Sequence, residues 1–216
     1  MKNVMIAPSI LSGNFADMGS DVKSMSEIGA DRIHIDVMDG MFVPNLTFGF
    51  KMISDIRPLS KLFFDVHLMI AQPLRYVERF VKSGADLVSF HVEAESDAAG
   101  ALNAIKAAGA QCGLAINPDT PVDALAPYVS SLDLIVIMSV YPGFGGQKFI
   151  DGSLERIARA KRLRDELAPS ALIEVDGGVT IENAVDIAKA GADILVAGNA
   201  VFGAADRRAA IKALRG

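Results

Sequence analysis

Gly29-Ala30-Asp31-Arg32-Ile33-His34-Ile35-Asp36-Val37-Met38 joins a helix stop to a strand whose two faces differ in chemistry. Glycine tolerates the left-handed backbone that ends many helices. Side chains alternate along a strand, so Ile33, Ile35 and Val37 share one face, and His34 and Asp36 share the other. The same triplet recurs as Gly84-Ala85-Asp86 and Gly191-Ala192-Asp193, with a looser copy at Gly109-Ala110-Gln111. Each copy follows a helical stretch and precedes a short apolar run, so it marks an αβ turn used several times; no site chemistry is expected of it.

Outward from that stretch, apolar runs recur at fairly even intervals. They are Val4 to Ala7, Arg32 to Met38, Leu62 to Met69, Leu87 to Val92, Cys112 to Ile116, Leu134 to Val140, Leu172 to Val175 and Ile194 to Ala197. Helical spacing fills intervals between them. Leu74 to Ser83 carries Leu74, Val77, Phe80 and Val81 at three- and four-residue steps, and Ser153 to Leu167 is a longer helical stretch. Alternating strands and helices predict a parallel sheet. Eight such units in 216 residues predict one compact domain, a (β/α)8 TIM barrel, with a doubly wound open sheet as the alternative.

Lys and Arg total 21 against 26 Asp and Glu, and no basic run carries interleaved aromatics, so no nucleic-acid partner is expected. A bound phosphate must therefore be held locally. Cys112 is the single cysteine; it excludes an intrachain disulfide and fits a reducing cytoplasm. With no long uncharged apolar segment and no secretory pattern at the start, the chain is expected to be soluble, unprocessed and free of membrane.

The polar residues on the strands carry the chemistry. Asp65 and His67 share a face of the third strand as His34 and Asp36 do on the second. One strand histidine is ordinarily a core group, but two neighbouring strands that each offer an imidazole and a carboxylate suit Zn, Fe or Mn. Asp65 is expected to orient His67 rather than to bind metal, and His91, two residues before Glu93, stays outside the metal set. Asp176 ends the seventh strand at the tip where barrel enzymes place their active sites, while Glu174 lies one layer deeper as a buried structural group.

Gly177-Gly178 follow Asp176, and Gly198-Asn199 follow the eighth strand. Loops after these two strands are the habitual phosphate site of the fold. Pro142-Gly143-Phe144-Gly145-Gly146-Gln147 lies in the longest connection and predicts a flexible loop that closes over a ligand. Met38, Met69 and Met138 fall near strand tips, where they line a water-poor site or simply fill the core.

In this order the motifs resemble the ribulose-phosphate 3-epimerase family over nearly the whole chain. The matching stretches are Ala7-Pro8-Ser9-Ile10-Leu11, His34 to Gly40 continuing through Phe42-Val43-Pro44-Asn45, and Asp65 to Met69, followed by Pro142 to Gln147, Glu174 to Gly178 and Gly198 to Phe202. The resemblance implies one divalent metal, zinc, iron, manganese or cobalt, on His34, Asp36, His67 and Asp176. It implies that Asp36 and Asp176 are also the two proton-transfer groups and that Ser9 and His67 touch the sugar. It further implies that Gly143 to Gly146, Gly177-Gly178 and Gly198-Asn199 hold phosphate, and that the protein is a homo-oligomer.

Tyr141 and Asn199 depart from the family pattern, which has Asn or an acidic residue at the first position and Ser at the second. Tyr141 bears on the choice of sugar, and the related allulose-6-phosphate 3-epimerases share the metal motifs. A non-catalytic sugar-phosphate sensor and a metal-dependent aldolase are the other readings of such a barrel. Paired carboxylates beside histidines argue against the sensor, which needs no proton carriers.

Overall fold

The computed structural model describes residues 4–216. Eight parallel strands run as β1 (Met5–Pro8), β2 (Arg32–Met38), β3 (Phe63–Met69), β4 (Leu87–His91), β5 (Gln111–Ile116), β6 (Leu134–Met138), β7 (Leu172–Asp176) and β8 (Ile194–Ala197). Each pairs with its neighbour in sequence from β2 to β8, and β8 pairs back onto β1. A Ser9–His34 bridge and the Asp31 N–H on the Ile6 carbonyl draw β1 and β2 together. The result is a nearly closed (β/α)8 barrel, and the open-sheet alternative is excluded.

The helices are α1 (Met18–Ile28), α2 (Phe50–Ile56), α3 (Val77–Lys82), α4 (Ala98–Ala107), α5 (Ser153–Leu167), α6 (Ile181–Ala190), α7 (Asn199–Phe202) and α8 (Arg207–Arg215). Two departures from the sequence pattern have local causes. The stretch from Leu74 to Ser83 is split into a 3₁₀ turn at Pro73–Arg75 and a short α3. Gln72 takes a left-handed φ of 53° before Pro73, and Leu74 points to solvent while Val77 and Phe80 are buried. Between β5 and β6 the described chain makes only 3₁₀ turns, Val122–Leu125 and Val129–Ser131, where an α-helix was expected.

Parallel strands are covered on both faces, and all seven residues of β2 are buried. Outward residues such as Ile33, Ile35, Val66, Leu68 and Ile135 join the apolar shell beneath the helices. Inward apolar residues, among them Leu87, Leu134, Val136, Ile194 and Val196, fill one side of the barrel. The β2–β3 side is polar inside. Arg32, His34, Asp36, Asp65 and His67 are all buried there, with Glu174 beside them from β7.

The Gly-Ala-Asp repeat does more than stop helices. Gly29, Gly84 and Gly191 have φ of 93°, 111° and 133°, as the turn requires. Asp31, Asp86 and Asp193, with Asp133 as a fourth member, stand before β2, β4, β8 and β6. Their carboxylates accept the N–H of Ile6, Phe64, Ile173 and Cys112 on the preceding strands. Each Asp also donates its own N–H to the carbonyl of that same residue. Four even-numbered strands are thus stitched to four odd-numbered ones at the end of the barrel where the strands begin.

Arginines brace three of the stitches, Arg215 on Asp31, Arg57 on Asp86 and Arg164 on Asp193. The Arg164–Asp193 pair, at 2.8 Å, is almost fully buried, whereas the Arg215–Asp31 pair is about a third exposed. Removing Asp193 leaves the buried Arg164 with only the exposed Asp165 as its acidic partner among the described residues and takes the side-chain acceptor from the Ile173 N–H. Asp193→Ala is therefore expected to cost about 3–5 kcal/mol and to lower the melting temperature by on the order of 10 °C. Asp31→Ala is expected to cost about 1–2 kcal/mol. Equal shifts for the two variants in thermal melts would refute the buried-pair explanation.

Candidate active site at the strand tips

A cavity of about 360 Å³ opens at the C-terminal ends of the strands. The loops after β1, β6, β7 and β8 wall it. Its floor is the place where β2, β3 and β7 deliver side chains inward. The β2–β3 register sets Asp36 opposite His67 and His34 opposite Asp65.

Four ligand-type side chains converge there, Asp36 and Asp176 lining the floor and His34 and His67 buried beneath it. His34 Nε2 is 3.2 Å from Asp36 Oδ1 and 3.9 Å from Asp176 Oδ2. His67 Nδ1 lies 3.6 Å from Asp36 Oδ1 and 3.5 Å from Asp176 Oδ2. One nitrogen or oxygen from each of the four residues falls within 4.8 Å of the others. The His67 Nδ1 atom is buried without a hydrogen-bond partner. Two imidazole nitrogens and two carboxylates around one point, one nitrogen orphaned, fit a divalent transition metal.

The electrostatics agree with that fit. Burial alone would raise the Asp36 carboxyl, but the imidazoles of His34 and His67 outweigh it and hold the acid far below the usual carboxylate range. Burial would lower both histidines, and the facing carboxylates raise them instead: Asp36, Glu174 and Asp176 for His34, and Asp176 and Asp36 for His67. The carboxylates around these imidazoles would also attract a cation. Ser9 donates its hydroxyl to Asp36 Oδ2 at 2.5 Å, placing it at the cavity wall beside the carboxylate.

The groups that hold these histidines differ from expectation in two respects. Asp65 faces Arg32, at 3.6 Å, and Glu174 rather than His67. Consecutive inward positions on one strand stack along the barrel axis, so Asp65 sits a layer below the ring it was expected to orient. Glu174 is buried, as expected, and its Oε1 stands 3.4 Å from His34 Nδ1. Burial and the neighbouring Asp65 carboxyl raise Glu174 well above the usual range. His67 is met instead by His91, with their Nε2 atoms 3.0 Å apart. His91 stays outside the four-residue cluster, as the sequence suggested.

The glycines that the sequence singled out come together at the cavity. Gly143, Gly145, Gly146, Gly177, Gly178, Gly198 and Asn199 all line the cavity, with Phe144 on its rim. Gly177 and Gly178 have φ of 113° and 63°. A Cβ on Gly178 would stand 2.3 Å from the Phe149 nitrogen, and one on Gly177 2.3 Å from Val140 Cγ2. The β7 tip is pinned by the Ser139 hydroxyl, which donates to the carbonyls of Asp176 and Gly177.

The loop after β6 is less free than its glycines suggest. Gln147 donates to the carbonyls of Tyr141 and Phe144, and Asn45, from the loop after β2, donates to Gly143 at 2.8 Å. Gln147 and Asn45 lay within recognised motifs, yet a sequence does not show which backbone carbonyl an amide will meet. Met38, Met69 and Met138 are buried and line the cavity. Tyr141 is exposed, donates to Asp119 at 2.9 Å, and lines a neighbouring recess with Phe42, Val43 and Pro44 rather than the main cavity.

Comparison with known proteins shows what the chain is similar to. Residues 5–202 match the model of the ribulose-phosphate 3 epimerase family. The chain is 48% identical over 214 residues to the ribulose-phosphate 3-epimerase of Bacillus subtilis (strain 168), covering 99% of both chains. It is 46% identical over 215 residues to the chloroplastic ribulose-5-phosphate-3-epimerase of Arabidopsis thaliana, covering 99% of this chain and 76% of that one. Among solved structures, KGPDC from Streptococcus mutans superposes with a TM-score of 0.74 at 14% identity, over 99% of this chain and 96% of that one, a likeness of fold. A barrel with paired carboxylates and histidines at its strand tips, matched from end to end by such relatives, belongs to the ribulose-phosphate 3-epimerase family of enzymes.

Proposed function

We propose that the chain, acting as a single barrel domain, interconverts D-ribulose 5-phosphate and D-xylulose 5-phosphate by moving a proton at C3 through a 2,3-enediolate. The observation that carries this reading is the convergence of Asp36 from β2 and Asp176 from β7 at the cavity floor. Inverting a carbon needs one group to remove a proton and another to supply one from the opposite side. Two carboxylates on separate strands provide such a pair, which a binding protein would not need.

His34, Asp36, His67 and Asp176 would hold the divalent metal, zinc, iron, manganese or cobalt. When bound, such an ion supplies Lewis-acid stabilisation of negative charge on the C2 and C3 oxygens. The chain's own groups do the rest. Ser9, which lines the cavity, would contact the sugar, whereas His67, expected to do so as well, is buried and does not line it and would act toward the metal; Asp36 and Asp176 would carry the protons. Met38, Met69 and Met138 keep the reacting carbons in water-poor surroundings. The glycine amides after β6, β7 and β8 hold the phosphate, with the loop after β6 closing above it.

The position of Tyr141 outside the main cavity favours the pentose reading over the allulose 6-phosphate one, since its bulk does not reshape the sugar pocket. A coupled assay on metal-replete enzyme is expected to show a higher kcat/KM for ribulose 5-phosphate than for allulose 6-phosphate, and exhaustive chelation is expected to abolish turnover. The reverse preference would overturn the substrate assignment, and full activity after verified metal removal would overturn the metal. No helix of the described residues is long and apolar enough to cross a membrane. With a single, buried cysteine, the reading extends to a cytoplasmic homo-oligomer whose partner is the small-molecule sugar phosphate, with neither nucleic acid nor membrane.

A further inference from the structure

His67 uses one ring nitrogen toward the four-residue cluster and turns the other to His91, and what lies behind His91 decides which nitrogen carries the proton. The His67 and His91 ring planes are within 16° and their centroids are 5.0 Å apart, while the facing Nε2 atoms are 3.0 Å apart. The rings are nearly parallel and their facing Nε2 atoms are within reach of one N–H···N hydrogen bond. Either ring can be its donor, so the pair by itself leaves the direction open.

Glu93 closes the choice. Its Oε1 accepts the Asn117 N–H at 2.8 Å and the Thr120 hydroxyl, and its Oε2 lies 3.4 Å from His91 Nδ1. That nitrogen is buried and has no hydrogen-bond partner among the described residues. A carboxylate facing a ring nitrogen is attracted by an N–H and repelled by a lone pair. His91 then carries its proton on Nδ1 and offers the Nε2 lone pair. His67 then donates through Nε2 and keeps its Nδ1 lone pair for a cation held with Asp36 and Asp176, whose carboxylates, 3.6 and 3.5 Å away, would by themselves favour an N–H there and so oppose Glu93. The far end is braced, since Arg156 from α5 donates to the carbonyls of Asn117, Pro118 and Thr120.

We propose that Glu93, acting through His91, is a positioning residue that fixes the tautomer of His67 so that Nδ1 is free to bind the metal. The proposal rests on the metal reading above. Glu93 touches neither the cluster nor the main cavity. Its effect is carried by two imidazoles, each of which can pass on only one polarity.

Glu93→Gln tests this with almost no change of shape. The amide oxygen must stay toward the Asn117 N–H, which turns the amide NH2 toward His91 Nδ1. His91 would then donate through Nε2, and His67 would hold its proton on Nδ1, where the metal belongs. The expected result is a metal dissociation constant raised about 10–100-fold, read by chelator competition with zinc, with little change in the melting temperature of the metal-free protein. Long-range 1H–15N NMR is expected to show His91 protonated at Nδ1 in the wild type and at Nε2 in Glu93→Gln. Thr120→Val, which removes one donor to Glu93 but leaves its charge, is expected to weaken zinc binding less than Glu93→Gln. Wild-type protein with no affinity for zinc would overturn the metal site itself. Zinc affinity within twofold between wild type and Glu93→Gln, or wild-type His91 protonated at Nε2, would overturn the relay while leaving the metal site standing. The wild-type spectrum decides even if the variant does not fold.

Discussion

In deuterated water the Asp176→Asn variant is expected to stop interconverting the two epimers, yet still to exchange the C3 hydrogen of one of them for solvent deuterium. If Asp36 and Asp176 serve opposite faces of C3, removing one leaves a carboxylate that can take a proton from its own face and return a deuteron there. Asp36→Asn is expected to do the same for the other epimer. Epimerisation falls in each case by at least about 10²–10⁴-fold, the range for loss of one proton carrier, and further if the metal departs. Asn keeps the shape, and at position 36 its oxygen can still accept the Ser9 hydroxyl that Asp36 accepts now. Because both residues also belong to the four-residue cluster, metal content is to be measured in each variant before rates are compared. Equal exchange from both epimers in a metal-loaded single variant would show one group serving both faces and end the two-base assignment.

Much of this site can be read from the chain because period-two alternation is rigid. His34 and Asp36 must share a face, and so must Asp65 and His67, whatever surrounds them. The strand boundaries are legible for the same reason: β2 spans Arg32–Met38 as its pattern predicts, and most of the others shift by a residue or two. Depth along the barrel axis is another matter. It depends on register between strands, and register put Asp65 beside Arg32 and Glu174 and left His67 to His91. The alternating pattern of strands and helices misleads between β5 and β6, where 3₁₀ turns stand in place of a helix. The loop between β5 and the first of those turns carries Asn117 and Thr120 close enough to hold Glu93. The aspartates of the Gly-Ala-Asp repeat show the same division. Their glycines announce the turn, while the strand N–H each carboxylate accepts comes from a segment some 20 or more residues earlier.

Free ribulose is expected to be turned over with kcat/KM at least about 10³-fold below that of ribulose 5-phosphate, because binding energy remote from C3 fixes the reacting carbon between the carboxylates. The structure offers a way to separate that effect from general damage. Gly178 lies at φ 63°, and a Cβ there would come within 2.3 Å of the Phe149 nitrogen and 2.7 Å of its Cα. Both are backbone atoms, which cannot swing aside as a side chain would, so Gly178→Ala must displace the end of the loop after β6 or the turn after β7. A misplacement of about 1 Å costs roughly 10²-fold when geometry controls the rate. Gly178→Ala is therefore expected to lower kcat/KM for the phosphorylated sugar by about 10²-fold and to leave the slow turnover of free ribulose nearly unchanged. Metal content is expected to stay the same, since Gly178 contributes no ligand. If the variant slowed both sugars equally, its effect would lie in the proton carriers or the fold, and the phosphate would have to be held elsewhere. If the wild type handled free and phosphorylated sugar alike, these glycine loops would not be supplying the binding energy at all.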